Sequence, residues 1–350
     1  MVAPPHWVKS LESVWKTAVG EGAALAYFRA GRRSTALTRL SKAQSVLLVR
    51  PDNRVGEALL MTPLINALAG RFQVDLWLHE KTQRVLDGVP GVRAHFSKAH
   101  SQGFSPHAYD VVVNCANWAT YSGTAALLSR RLASTAVLVG PAFGPGARLM
   151  DVPVAALADT EDEVLQRLHL LSPLGIEGKR YPLSFRTPRV EGALAALAGD
   201  LRQARWAVLN PGGRLSERRI PASVFVAVGK ALSSQGLRSL VTWGPGEEAL
   251  AREVVSGIPG ATMAPATNLD ELAGLMQASG LVVCNNTGPM HLSVAVGAQT
   301  LAFFRNMPMK RWGHAVSPHA MVDLTSCGDD EVAMAAQAVE ASLSLQRTKT

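Results

Sequence analysis

The sequence predicts an α/β protein made of two doubly wound parallel-sheet domains, and three observations lead there. From residue 45 onward, short apolar runs alternate with helix-patterned segments. The alternation comes as two series, separated by a polar stretch containing prolines. At 350 residues the chain is also longer than one hydrophobic core ordinarily organises. Continuous apolar strands separated by helices are what parallel sheets covered on both faces require.

In order, SVLLVR (45–50) reads as a strand, EALLMTPLINALAGRF (57–72) as helical and QVDLWLH (73–79) as the next strand. YDVVVNC (109–115) and TAVLVG (135–140) are two further strands. The helical EDEVLQRLHLLSPLG (161–175) then leads into IEGKRYPLSFRTPRV, which is polar and carries two prolines. The second series begins with the strand in WAVLNPGG (206–213), the helical ASVFVAVGKALSSQG (222–236) and the strand in RSLVTWGPG (238–246). It continues through the helical EEALAREVVSG (247–257) and TNLDELAGLMQASG (267–280), then LVVCNNTGPMHLSVAVG (281–297), which passes from strand to helix. QTLAFF (299–304) and AMVDL (320–324) complete it as strands. We place the junction within residues 178–200. This gives a basic extension at 1–44, a first Rossmann-like domain at 45–185 and a second at 186–350.

Composition narrows the function classes. Hydrophobic residues make up 47% and charged residues 18%, a globular balance. No run of 18 apolar residues occurs, so no bilayer-spanning segment is expected. Glu12, Lys16 and Glu21 interrupt the apolar runs that a secretory leader would need. Three cysteines, Cys115, Cys284 and Cys327, are far apart and lack metal-ligand spacing, which fits a reduced, cytoplasmic setting. Cys115 and Cys284 fall near strand ends and are expected to be buried, inert thiols. The net charge is +8, and residues 1–45 hold seven basic side chains against two acidic ones. Such a leader suits an anionic surface, and Trp7, Leu11, Val14, Trp15 and Ala18 follow helical spacing within it. A membrane-surface helix and a helix packed on the protein itself both fit. Nucleic acid is not expected, because no nucleic-acid-binding motif accompanies the charge.

In open parallel sheets ligands sit beyond the carboxyl ends of the strands, so candidate residues are sought just after each strand. In NPGGRLSERRIP, Pro211, Gly212 and Gly213 form a tight turn, and Arg214, Arg218 and Arg219 crowd the entry to a helix whose first-turn proline is Pro221. Amides, arginines and a helix N-terminus together favour a phosphate or diphosphate. In WGPGEE, Glu247 and Glu248 after Gly244 suit a helix start, or a carboxylate facing ribose hydroxyls. Asn285, Asn286, Thr287, Gly288 and Pro289 mark the last strand-to-helix passage, with His291 in the first turn. Gly288 lets the backbone approach an anion there. In VRPDNRVGEALLMTP, Glu57 follows Gly56 at a helix start and is a candidate general base.

These four stretches, in this order, resemble the heptosyltransferases of glycosyltransferase family 9. The family's VRxDxxGDxLLxTPLxxAL is similar to VRPDNRVGEALLMTPLINAL, and NPGxRxxxKRWP to NPGGRLSERRIP. Its WGPxEE appears as WGPGEE, and its NDTGPxHLAAALG as NNTGPMHLSVAVG. The resemblance implies a GT-B fold, with donor bound by the C-terminal domain, acceptor by the N-terminal one and a cleft between them. It also implies an inverting, metal-independent transfer of a heptose or related sugar from an ADP-sugar to a lipopolysaccharide core or similar glycan. No Asp-x-Asp triplet occurs in the chain. No cofactor is implied. An anionic glycolipid acceptor would place the protein on the cytoplasmic side of the inner membrane.

Carried over by position, Glu57 takes the place of the family's catalytic aspartate and Arg218 that of its diphosphate-binding lysine. Glu247 or Glu248 takes the ribose-binding place, and Asn286, Thr287 and Gly288 lie beside the diphosphate. With them, Pro211, Gly212, Gly213, Arg214, Gly244, Pro289 and His291 form the implied donor site, and Asn53, Arg54 and Gly56 the acceptor side. Five departures are visible: Glu57 and Asn286 replace aspartates, Arg218 a lysine and Ile220 a tryptophan, and FFRN (303–306) stands where the family has Phe-Gly or Tyr-Gly. Arg218 remains a bidentate cation, while Asn286 removes a negative charge. Two alternatives remain open at this point, a nucleotide-sugar binder without turnover and a GT-B enzyme using a UDP-sugar.

Overall fold

The computed structural model describes residues 30–118, 122–177, 179–203 and 205–347. The amphipathic set at residues 7–18 lies outside them. Helix α1 (Ala30–Leu40) carries the end of the basic leader. It buries Ala36 and Leu40 and leaves Leu37 exposed, and the Arg39 guanidinium donates to the Thr135 carbonyl at 2.5 Å. This part of the leader packs on the protein's own body.

Strand β1 (Ser45–Arg50) is buried along its whole length, as its uninterrupted apolar run predicts. The helical pattern of 57–72 is two helices, α2 (Val55–Leu59) and α3 (Thr62–Leu68). Pro63 causes the break, since it has no N–H to donate backward and its ring crowds the preceding turn. Then come β2 (Gln73–Leu78), α4 (Glu80–Leu86), β3 (Val92–Phe96), β4 (Val111–Asn114) and α5 (Gly123–Leu132). β5 (Val137–Pro141), β6 (Val152–Val154) and α6 (Glu163–His169) complete this half. The six strands are parallel in the order β3-β2-β1-β4-β5-β6. The half-exposed edge strand β3 is held by charge. Arg93 bonds both oxygens of buried Asp75 on β2, and the Tyr109 hydroxyl donates to the same carboxylate at 2.7 Å. Burial, followed by that hydrogen bond, pushes the Tyr109 hydroxyl well above the ordinary tyrosine range.

The polar stretch after residue 175 ends in α7 (Gly192–Gln203), a helix the sequence reading left within the junction. It is followed by β7 (Trp206–Asn210), α8 (Ala222–Ser234), β8 (Arg238–Val241), α9 (Glu248–Gly257) and β9 (Thr262–Met263). Pro221 is the N-cap of α8 and sits just outside its first turn. Next are α10 (Leu269–Ala278), opened by an Asn268/Glu271 capping box, β10 (Leu281–Asn285) and α11 (Gly288–Ala295). β11 (Thr300–Phe304), α12 (Met309–Trp312), β12 (Ala320–Asp323) and α13 (Glu331–Arg347) close the chain. This sheet is also parallel, in the order β12-β11-β10-β7-β8-β9. Phe225 of α8 meets Phe303 of β11 edge to face in its core, with ring centroids 6.1 Å apart.

The chain thus forms two compact units, each a parallel six-stranded sheet flanked by helices. One comprises residues up to Asn53 and Met61–Pro182, the other Arg54–Leu60 and Leu183 onward. Helix α2 therefore belongs with the second unit, although it follows β1 in sequence. No described helix is long and apolar enough to cross a membrane.

Candidate active site

Three loops converge at the carboxyl ends of β7, β8 and β10, which are neighbours in the second sheet. Connections leave β7 and β10 in opposite directions along the sheet, the arrangement that opens a crevice at strand ends. Buried Asn285, the last residue of β10, ties the loops together. Its Nδ2 donates to the Pro211 carbonyl at 2.6 Å and to the Gly212 carbonyl at 3.0 Å, and its Oδ1 accepts the Ile220 N–H at 3.2 Å. One amide thus fixes both ends of the arginine-bearing loop. Ile220 turns its side chain into the core.

Glu247 is a second brace. Its two oxygens accept the Gly213 N–H at 2.7 Å and the Gly244 N–H at 3.0 Å, joining the β7 and β8 loops. Arg219 donates to the Gly213 carbonyl and lies 3.7 Å from the same carboxylate. Glu248, by contrast, is exposed and pairs with Arg252 one turn along α9. The two glutamates that the sequence left as alternatives therefore differ, and only Glu247 faces the loops. A Cβ on Gly212 would overlap the Glu247 carboxylate. Gly212→Ala is expected to push that carboxylate off its amides and cost roughly 2 kcal/mol, the value of hydrogen bonds to a charged group. Chemical denaturation followed by fluorescence would read this. Wild-type stability in the variant would show that Glu247 does not brace the turn.

The three arginines of the loop separate into two kinds. Arg219 is used internally, as above. Arg214, exposed, and Arg218, half-buried in the turn at Ser216–Arg218, have no hydrogen-bond or ion-pair partner among the described residues. Asn306, at φ +54° where FFRN replaces the family's glycine, donates its side-chain amide to the Glu217 carbonyl at 3.2 Å. Asparagine tolerates this left-handed conformation and also steadies the turn that carries Arg218.

At the start of α11, Thr287 is the N-cap and Pro289 lies in the first turn. The Asn286 N–H bonds Phe303, while the Thr287 and Gly288 N–H groups have no partner among the described residues. Two open amides at a helix start suit an anion, and the loop that carries Arg214 and Arg218 adjoins that helix start. Gly213 closes on this corner, since a Cβ there would meet the Thr287 methyl at 2.9 Å.

Helix α2 packs on α11 through glycines. A Cβ on Gly56 would stand 2.7 Å from the His291 ring, and one on Gly288 would touch Val55. Glu57, in the first turn of α2, is buried with its carboxylate 3.6 Å from the half-exposed Arg54 guanidinium. Asn53 and Arg54 are exposed just before it. His291, also buried, lies 2.8 Å through Nδ1 from Nε2 of buried His314. Asn285, Arg219, Asn306 and His314 were not singled out as site residues from sequence. Arg219, Asn285 and Asn306 do fall in stretches the sequence brought out; only His314 gave no signal at all.

In the first unit, the ends of β4 and β5 frame a small cavity lined by Asn114, Asn117, Ser122, Pro141, Phe143 and Met150. Its polar groups are uncharged amides and a hydroxyl. Burial pushes the Cys115 thiol up to about 11 and raises Cys284 as well, so both stay protonated and inert near neutral pH.

The family model of glycosyltransferase family 9 (heptosyltransferase) matches residues 107–337. Comparison with individually curated protein sequences gives no match. Among solved structures, the family 9 glycosyl transferase of Veillonella parvula is similar at 16% identity and TM-score 0.67, over 87% of this chain and 96% of that one. The E. coli heptosyltransferase WaaC with ADP is similar at 17% identity and TM-score 0.65, over 87% and 99%. The E. coli ADP-heptose lps heptosyltransferase II gives 16% identity and TM-score 0.65, over 88% and 100%. At these identities the likeness establishes the fold.

Proposed function

This chain belongs to glycosyltransferase family 9, the heptosyltransferase family, and from that premise we propose that it moves a heptose or closely related sugar from an ADP-sugar to a glycan acceptor of the lipopolysaccharide-core type, with inversion and without a metal. The reading is supported by two features of adjoining loops: Arg214 and Arg218 have no partner among the described residues, and the Thr287 and Gly288 amides at the start of α11 are open beside Gly213 of the same arginine-bearing loop. Together they offer two full positive charges and a helix start to a diphosphate, the electrostatic service a divalent cation gives in other transferases. ADP is present in the WaaC structure named above, which supports the choice of nucleotide.

In the reaction, the acceptor hydroxyl gives its proton to the Glu57 carboxylate as its oxygen bonds to the anomeric carbon. The bond from that carbon to the diphosphate oxygen breaks, and ADP departs with the electron pair. Arg214, Arg218 and the two amides take up the charge that builds on the leaving group. Attack from the face opposite the diphosphate inverts the anomeric centre. Glu247 holds the turn at Gly213 and leaves its outer edge for the ribose. On the acceptor side we place Asn53, Arg54 and Gly56, at the entry to α2 that carries Glu57. Residues 1–44, with their excess of Lys and Arg, bring the enzyme to an anionic membrane face on the cytoplasmic side, where a glycolipid acceptor is held.

The test is a panel of ADP- and UDP-sugars, read by thermal shift and by nucleotide release with and without a truncated core glycan. ADP-heptose is expected to stabilise the protein most and to be turned over only with acceptor. Preference for a UDP-sugar, or binding of ADP-sugars without turnover, would overturn the reading.

A further inference from the structure

The cavity at the ends of β4 and β5 holds a hydrogen-bond donor that the first unit does not use itself. Asn114 is the last residue of β4 and only 3% exposed. Its Oδ1 accepts the Ala116 N–H at 3.1 Å, and this fixes the orientation of the amide, because only the oxygen can accept from a backbone N–H. The half left over is the Nδ2 group, a pure donor. It has no partner among the described residues, yet it is not sealed from solvent, and the opening that Asn114 lines is this cavity. An amide donor left open on a buried residue asks for an acceptor. Gly140 on β5 leaves the amide its place, since a Cβ there would stand 3.0 Å from the Asn114 Cβ and 2.6 Å from the Met150 sulfur.

Position and chemistry say what kind of acceptor. In the order β3-β2-β1-β4-β5-β6 the chain runs outward from β1 to β3 and then crosses to β4, so Asn114 ends a strand beside the point where the winding reverses. That is where open parallel sheets bind ligands. No charged side chain is among the lining residues, so a phosphate or carboxylate finds nothing to pair with there. The Ser122 hydroxyl accepts the Ala125 N–H and keeps its own proton to donate. The volume is about 20 Å³, room for one water-sized group such as a single hydroxyl. Phe143 also lines the cavity and remains 38% exposed. We infer that the cavity is a saccharide subsite: Asn114 Nδ2 donates to one hydroxyl oxygen of an uncharged sugar, whose ring lies outside against Phe143. The negative face of an aromatic ring suits the C–H groups of a pyranose. The inference rests on the glycosyl-transfer reading for calling this sugar part of the acceptor, and it makes the acceptor unit held by the first sheet a neutral one.

The binding can be tested without turnover. In protein labelled with 15N at asparagine side chains, the Asn114 amide signals should move on titration with the neutral methyl glycosides of glucose and mannose. Methyl glucuronide, of similar size but carrying a carboxylate, and inorganic phosphate should move them far less. No movement with the neutral glycosides, or an equal response to the anions, would overturn the proposal. In transfer assays with a truncated core glycan, Phe143→Ala should raise the acceptor KM roughly two- to tenfold, what one such contact is worth, with kcat and the donor KM unchanged. Phe143→Tyr, which keeps the ring, should restore the wild-type value. Asn114→Asp keeps the oxygen that accepts from Ala116 and removes the free donor, so the acceptor KM should rise by a similar factor. The partly exposed position 143 keeps the test decisive if the buried replacement fails to fold. An unchanged acceptor KM in Phe143→Ala would overturn the subsite. If the wild-type protein transfers no sugar while the neutral glycosides still move the Asn114 signals, the transfer reading fails and the saccharide site stands.

Discussion

Glu57→Gln is expected to abolish sugar transfer while leaving ADP affinity unchanged. The substitution keeps the size and hydrogen-bonding reach of the side chain and removes only its ability to take a proton. General bases contribute roughly 10²- to 10⁴-fold in rate, so the loss should reach at least the lower end of that range. Glu57 is buried at the start of a five-residue helix, and so short a helix has little stability of its own. Packing on α11 holds it in place, through the glycine contacts at positions 56 and 288. Single-turnover transfer assays beside calorimetry with ADP separate the two effects. Full activity in the variant would reject Glu57 as the base, and lost ADP binding would show that it holds the donor loops instead.

Asn285→Asp should be the most destabilising single-atom change in the second unit's loops. Its Nδ2 is the donor to both Pro211 and Gly212, and the replacement turns that donor into an oxygen facing two carbonyl oxygens. Leaving buried polar groups unsatisfied costs about 1–3 kcal/mol each, and burying an uncompensated charge adds to this, so a loss of about 3–5 kcal/mol is expected. The loop freed in this way carries Arg214 and Arg218, so ADP affinity should fall together with stability. Denaturant unfolding and ADP titration would measure both. A variant with wild-type stability and ADP affinity would show that the amide has no bracing role.

How far the sequence could be read depended on where a strand lies in its sheet. β1, β4, β7 and β10 are covered on both faces, and each appears as an unbroken apolar run. The strands left unread, β3, β6 and β9, are all at sheet edges, where half-exposed or very short segments show no such run. Pro63 could have announced the break between α2 and α3, but the apolar period across 57–72 concealed it. Candidate site residues could be proposed from sequence where they follow a strand directly, as at 211–214 and 286–291. The braces were not, because Asn285 reaches back 73 and 74 residues to its partners and His291 finds His314 23 residues away. No local pattern encodes such pairings. The difference between Glu247 and Glu248 was hidden for the same reason, since it depends on which of them meets the Gly213 amide.

The inclusion of Arg54–Leu60 in the second unit sets a temporal order on the enzyme's maturation. On the ribosome this heptapeptide emerges more than a hundred residues ahead of the sequence it must clasp, and it has to wait while the intervening sheet assembles. The segment that carries Glu57 is therefore seated only after the second unit has been synthesised. It follows that no single cut between the halves yields two intact pieces.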